Sequence, residues 1–213
     1  MTILLALLVG CDYGFTLPSD IPRPNGPVTP GMKLPFRPRR TILPGSVTGP
    51  PPPDAGITSG QCNDMTDGGE LADQDCVTGE IHCGETIIGH TRGGVNRYNT
   101  RFYESNFCTP ATTRHDGGDE RVYLLDLQEE QTRAIVYLDT PCANLDLAAL
   151  KSNGTQCPSP STSLSQCEMW PQSGTKREKV DLWNNHASQW WLVVEGQGEE
   201  EGAFALTVQC LKW

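Results

Sequence analysis

The groups in this 213-residue chain that could do chemistry are four histidines, nine cysteines and 26 acidic side chains. Their spacing decides how much chemistry is available. His82, His90, His115 and His186 are scattered. None falls in the His-Glu-x-x-His pattern that sets two zinc ligands on one helix face. No Gly-x-Ser-x-Gly elbow is present to expose a nucleophilic serine. His115 and Asp116 are neighbours in a loop and read as plain surface rather than as a dyad. No Cys-x-x-Cys pair exists, so the usual structural-zinc spacing is missing. These patterns point away from an enzyme and imply no certain cofactor.

Oxygen ligands are more concentrated. One loop holds Asp64, Asp67 and Glu70 beside Asn63, Asp73 and Asp75, and a second holds Asp116, Asp119 and Glu120. Calcium takes six to eight oxygens, and loops rich in carboxylates can supply them. Neither loop has EF-hand spacing, and the plainer reading of both is a solvated acidic loop. Three tryptophans are candidate ligand contacts. Trp190 and Trp191 are neighbours on one expected strand, so their rings point to opposite faces. One belongs in a core, and the other is open or covered by a loop. Trp170 lies in a loop. An exposed indole can stack on a sugar ring or anchor a partner.

The cysteines set the compartment. Residues 3–9 are an uncharged apolar run, followed by Gly10 and Cys11. The run is far short of the ~20 residues that span a bilayer, but it suits the hydrophobic region of a signal peptide. Leu8, Val9, Gly10 and Cys11 resemble a bacterial lipobox, in which Cys11 receives the lipid and becomes the mature N-terminus. A signal peptide opens with Lys or Arg and none precedes Cys11, so the natural start is expected upstream of Met1. Setting Cys11 aside leaves Cys62, Cys76, Cys83, Cys108, Cys142, Cys157, Cys167 and Cys210, an even number suited to four disulfides. Disulfides persist outside the reducing cytosol. The expected location is therefore the bacterial cell envelope, lipid-anchored, facing the periplasm or the exterior. Short-range pairing favours Cys157 with Cys167 and Cys62 with Cys76. Cys83 and Cys210 sit on the first and last expected strands, which often lie together in a sandwich.

Composition divides the chain into a signal segment (1–10), a Pro/Gly-rich tether (11–60) and a domain (61–213). Residues 12–60 carry twelve of the 17 prolines, including Pro50 to Pro53, with few apolar residues at any period. Such a stretch cannot bury enough surface to offset its ordering entropy and is expected to be disordered. In polyproline II its reach is on the order of 150 Å. The tether holds five basic and three acidic groups, and the domain holds 11 and 23, a net of −12. A domain this acidic is not drawn to phosphate backbones, which argues against nucleic acid as a partner.

Within the domain, short apolar runs at 85–91, 121–127, 132–138, 144–150, 179–183, 189–195 and 203–210 alternate with polar turns. In the last, Phe204, Leu206, Val208 and Cys210 share one face by the two-residue period. No stretch of ten residues carries a helical period. The pattern predicts an all-β sandwich.

Five runs then carry a family resemblance: GGDERVYLLDL at 117–127, IVYL at 135–138, LDL at 145–147, WWLVVEG at 190–196 and GAFALTVQC at 202–210. Together they resemble the bacterial pre-peptidase C-terminal domain over about residues 80–210, and the closing hairpin is the most specific part. The resemblance implies a disulfide-rich variant of a jelly-roll-like β-sandwich with no catalytic residues. Such domains are usually appended to secreted enzymes, and some bind collagen, polysaccharide or calcium. The function expected is a non-catalytic, lipid-anchored display of a binding or adhesion module for a glycan, matrix or protein ligand, with calcium dependence as one variant. A structural envelope lipoprotein, or an accessory subunit of a secreted hydrolase, is the alternative.

Overall fold

The computed structural model describes residues 57–64, 68–71, 76–108, 114–128, 133–154 and 156–211. The signal-like run, Cys11, the tether to residue 56, Asp67, Asp73 and Asp75 lie outside the described residues. The strands are β1 (Val77–Ile81), β2 (Thr86–His90), β3 (Arg121–Leu127), β4 (Arg133–Asp139), β5 (Leu145–Lys151), β6 (Gln166–Met169), β7 (Glu178–Trp183), β8 (Ser188–Gly196) and β9 (Ala203–Leu211). One sheet has the order β1-β3-β8-β5-β6 and the other β2-β9-β4-β7. Pairing is antiparallel except between β1 and β3. This is the expected all-β sandwich.

The inner faces follow the two-residue period. Leu125 and Leu127 of β3, Val136 and Leu138 of β4, Leu145 and Leu147 of β5, Trp190 and Leu192 of β8, and Phe204, Leu206 and Val208 of β9 meet in one core. The β1 strand was not expected. Its Val-Thr-Gly-Glu-Ile sequence has weak alternation, and its partner β3 supplies the order. β6 was also not expected, because four residues with mixed polarity carry no readable period.

The five-stranded sheet is buried on both faces. Residues 92–108 and 156–165 lie over its outer side and form a second apolar layer. Tyr98, Phe102 and Tyr103 of this cover pack with Trp191, Val193, Val122, Ala148 and Leu150. The Tyr98 and Phe102 rings stack with centroids 4.6 Å apart. Within the cover, α1 (Thr100–Ser105) starts where the Asn99 side chain accepts the Phe102 N–H at 2.9 Å. Six residues are too few to print a helical period. Double burial also explains the continuous apolar runs at 147–150 in β5 and 190–194 in β8, which a half-exposed strand would interrupt.

The disulfides correct the short-range expectation. The pairs are Cys62–Cys142, Cys76–Cys157, Cys83–Cys210 and Cys108–Cys167. Only Cys83–Cys210 was expected. Cys157 and Cys167 do not pair, nor do Cys62 and Cys76. Cys76–Cys157 and Cys108–Cys167 belong to the cover, with Cys76, Cys108 and Cys157 in its apolar layer and Cys167 packed against it. Cys62–Cys142 fixes the start of the domain beside Ile57. Four such bonds belong to an oxidising, extracytoplasmic setting.

Arg121 is fully buried in β3 and donates to the carbonyls of His90, Gly69 and Arg92. It clips two loops to the sheet. Gly68 lies against this clip, and a Cβ there would come within 2.2 Å of the His90 carbonyl and 2.7 Å of the Arg121 guanidinium.

Candidate functional site

Two acidic residues interrupt otherwise apolar strands: Asp146 in β5 and Glu195 in β8. The register places them directly opposite one another across the β5–β8 ladder, on the outer face beneath the cover. Like charges in that relation destabilise a sheet. The cover supplies the answer. His115 Nδ1 lies 3.0 Å from Glu195 Oε1, and Nε2 lies 3.5 Å from Asp146 Oδ2. These are close approaches and not in-line hydrogen bonds. Tyr103 of α1 donates its hydroxyl to Glu195 Oε2 and sets its ring edge-on to the imidazole at 5.1 Å. Gln197 Nε2 donates to Asp146 Oδ2 at 3.1 Å.

Two further carboxyls extend the cluster. Glu120 accepts the backbone N–H of Tyr98 at 2.7 Å and of Arg97 at 2.9 Å, which pins the start of the cover. Glu178 works at the other side. β6 pairs with β5 only from Ala148 onward. Glu178 accepts the Leu147 N–H at 2.7 Å just before that point and the Gln172 N–H at 2.5 Å.

Burial dominates the protonation of the whole group. It pushes Glu120 up to about 8, with the Glu195 charge adding to it and backbone N–H groups opposing. Glu178 is pushed up to about 9 by burial and then by the Asp146 charge. Glu195 stands well above the usual carboxylate range, and Asp146 is raised, both through burial first. Burial lowers His115, against the pull of Asp146 and Asp116. The cluster therefore favours neutral, proton-carrying carboxyls around a neutral imidazole.

A tyrosine, a carboxyl, an imidazole and a second carboxyl in series could relay a proton. Here they have no opening. The side chains of His115 and Asp146 are 0% exposed and that of Glu195 4%. The reading of His115 with Asp116 as plain surface is thus corrected: His115 is a buried anchor, while Asp116 is exposed and accepts from the Thr100 N–H at 3.2 Å and its hydroxyl at 3.3 Å.

Asp119 accepts the Gly93 N–H at 2.9 Å, and Glu120 is buried in the cluster above. Asp64 is exposed, and Glu70 is exposed on a separate segment. Among the described residues, no three His, Cys, Asp or Glu side chains form a group that could hold a metal ion.

Of the candidate tryptophans, Trp190 and Trp191 are both buried and do not meet a ligand. Trp190 donates to Asn184 Oδ1 at 3.1 Å in the core, and Trp191 lies under the cover. The expectation that the second indole is open or loop-covered resolves to covered. Trp170 is 65% exposed at the end of β6. Glu178 holds the loop behind it through Gln172, so a buried carboxyl positions an open indole. Trp183 is 47% exposed and was missed. The signal was present: if Val180 and Leu182 face inward, Trp183 faces out. The Arg133 guanidinium lies 4.4 Å from the Trp183 ring centroid and is held by both Asp181 oxygens.

No known family profile matches the sequence, and no curated protein does. Solved structures align with part of the chain. The pre-peptidase C-terminal domain of a Bacillus anthracis collagenase aligns with 64% of this chain and all of its own length, at 12% identity and a TM-score of 0.37. CorA, a surface-associated copper-binding protein of Methylomicrobium album BG8, aligns with 63% of this chain and 98% of its own, at 8% identity and 0.37. PliG, a periplasmic inhibitor of g-type lysozyme from Aeromonas hydrophila, aligns with 62% and 98%, at 7% identity and 0.30. Likenesses at these scores assign neither a family nor a role to this chain.

Proposed function

We propose that this chain is a non-catalytic binding module, held outside the cytoplasm by lipid on Cys11, with Trp170 contacting an extracellular glycan. The observation that carries the reading is the open Trp170 indole on a loop braced by Glu178. A flat apolar ring flanked by amide-bearing Gln172 is suited to stacking on a sugar while hydrogen-bonding its hydroxyls. The relay-like cluster around His115 is sealed among the described residues, which supports binding without turnover. The lipobox-like run ending at Cys11 supports the anchor.

Glycan-array measurements on the intact chain and on Trp170→Ala test the contact. Retention of a defined glycan class is expected, with roughly tenfold weaker binding by the variant, equivalent to about 1.4 kcal/mol. Equal retention by both proteins, or none by the intact chain, removes this reading and leaves a structural envelope protein. Cell fractionation tests the anchor separately. Cys11→Ala is expected to move the protein from membranes to the soluble fraction, and a protein already soluble with Cys11 intact contradicts it.

A further inference from the structure

Phe107 breaks two rules at once. It is the most exposed large apolar side chain among the described residues, at 92%. It is also their one residue other than glycine with a positive φ, at 57°. The end of α1 sets that backbone. The Phe107 N–H donates to the Glu104 carbonyl at 3.1 Å, and the Cys108 N–H to the Tyr103 carbonyl at 2.9 Å. This pair of bonds closes a helix with the residue between them in the left-handed region. Glycine is the usual occupant, because a Cβ there crowds the following carbonyl. Phenylalanine takes on that strain, and its ring, out in solvent, returns nothing to the core. A bulky residue strained in this way marks a position where something besides folding sets the side chain. The mount is firm. Asn106 donates to the carbonyls of Phe102 at 3.0 Å and Thr162 at 3.5 Å, and accepts the Leu164 N–H at 2.8 Å. Cys108 is bonded to Cys167 of β6. A ring fixed before binding loses little freedom on binding.

The same disulfide relates Phe107 to Trp170. The Cα atoms of Cys108 and Cys167 are 5.1 Å apart, Phe107 adjoins the first, and Trp170 follows the second by three residues. The Cα atoms of the two exposed aromatics therefore lie within about 20 Å of each other, beside β6. Neither ring takes part in an aromatic pair among the described residues. From this geometry we infer that Phe107 is a second stacking platform for the glycan that Trp170 contacts, so that the ligand is a neutral polysaccharide chain rather than a single terminal sugar. The inference rests on the proposed reading of Trp170. Sugar rings lay their C–H faces on aromatic faces and offer hydroxyls to short polar side chains. The segment 159–165, Ser-Pro-Ser-Thr-Ser-Leu-Ser, supplies these next to Phe107, with Ser161, Ser163 and Ser165 exposed and no charge along its length. The domain's net charge of −12 repels an acidic glycan, which selects a neutral one.

The test is affinity electrophoresis of the intact chain, Phe107→Gly and Trp170→Ala in native gels carrying dextran, xyloglucan or galactomannan, with thermal melts alongside. At least one polymer is expected to retard the intact chain, and each variant is expected to bind it roughly tenfold more weakly. Phe107→Gly is also expected to melt about 2–4 °C higher than the intact chain, because glycine relieves the left-handed turn. Retardation weakened by Trp170→Ala and not by Phe107→Gly overturns this inference and leaves the Trp170 reading in place. Retardation weakened by Phe107→Gly alone removes the Trp170 contact and with it the shared chain. An intact chain that no polymer retards removes both. A Phe107→Gly protein that melts lower also overturns the inference, because the ring then serves the fold.

Discussion

Thermal unfolding of the intact chain is expected at its highest temperature near pH 5 and about 10 °C lower near pH 9. Most acidic proteins are stabilised by ionised carboxylates and lose stability as pH falls. Here the buried carboxyls have the opposite sign. Glu120, Glu178 and Glu195 hold their protons in the folded state well above the pH at which the unfolded chain releases them. The native state then binds more protons than the unfolded state, and stability falls as pH rises from the ordinary carboxylate range through the folded values. Glu120 alone, moved from 4.5 to about 8, has a ceiling of roughly 5 kcal/mol at 1.36 kcal/mol per unit. His115 is lowered, so its contribution rises with pH up to its ordinary value and is flat above it. The steepest decline is therefore expected above about pH 6.5. Glu195→Gln keeps an acceptor for the Tyr103 hydroxyl and offers a donor to His115. It is expected to match the wild type at pH 5 and exceed it at pH 9. A variant equally weakened at both pH values would show that the ionised carboxylate is what the fold requires.

Removing Cys76–Cys157 and Cys108–Cys167 together is expected to loosen the cover before the sandwich. The bonds close chain separations of 81 and 59 residues, and each is worth about 2–5 kcal/mol. Hydrogen exchange should quicken across residues 97–108, and Trp191 fluorescence should move to the red as water reaches its ring. Replacing Cys83 and Cys210 instead should cost a similar amount while leaving Trp191 shielded, because that bond ties the turn before β2 to the end of β9. Equal exchange rates over both layers in the two variants would contradict a separable cover.

The strands that frame the core were legible because their burial is one-sided or complete. The run 203–210 shows alternation, and 190–195 shows the continuous apolarity of a strand covered twice. That second pattern carried more than was taken from it, since an unbroken Trp-Trp-Leu-Val-Val run already requires a layer over the sheet. α1 was not legible, because a single capped turn leaves no period. The buried cluster was not legible for a different reason. Asp146 and Glu195 each stand out as an acid inside an apolar strand, but only the β5–β8 register shows that they face one another, and only the cover brings His115 between them. The disulfides escaped because short separation is a chain-entropy argument, while the folded backbone sets partners 59 to 127 residues apart. Cys83–Cys210 was legible because both residues adjoin readable strands. Trp183 is readable from the period of its own strand, in which Val180 and Leu182 face inward.

A binding module of the kind proposed holds its ligand without changing it, and the sealed His115 cluster is then packing. Mass spectrometry of a glycan and peptide panel after incubation with the intact chain tests this most directly. Retained ligands are expected to be recovered at their original masses. Hydrolysis products that disappear with a folded His115→Gln variant would contradict it and reopen the buried cluster as an active site.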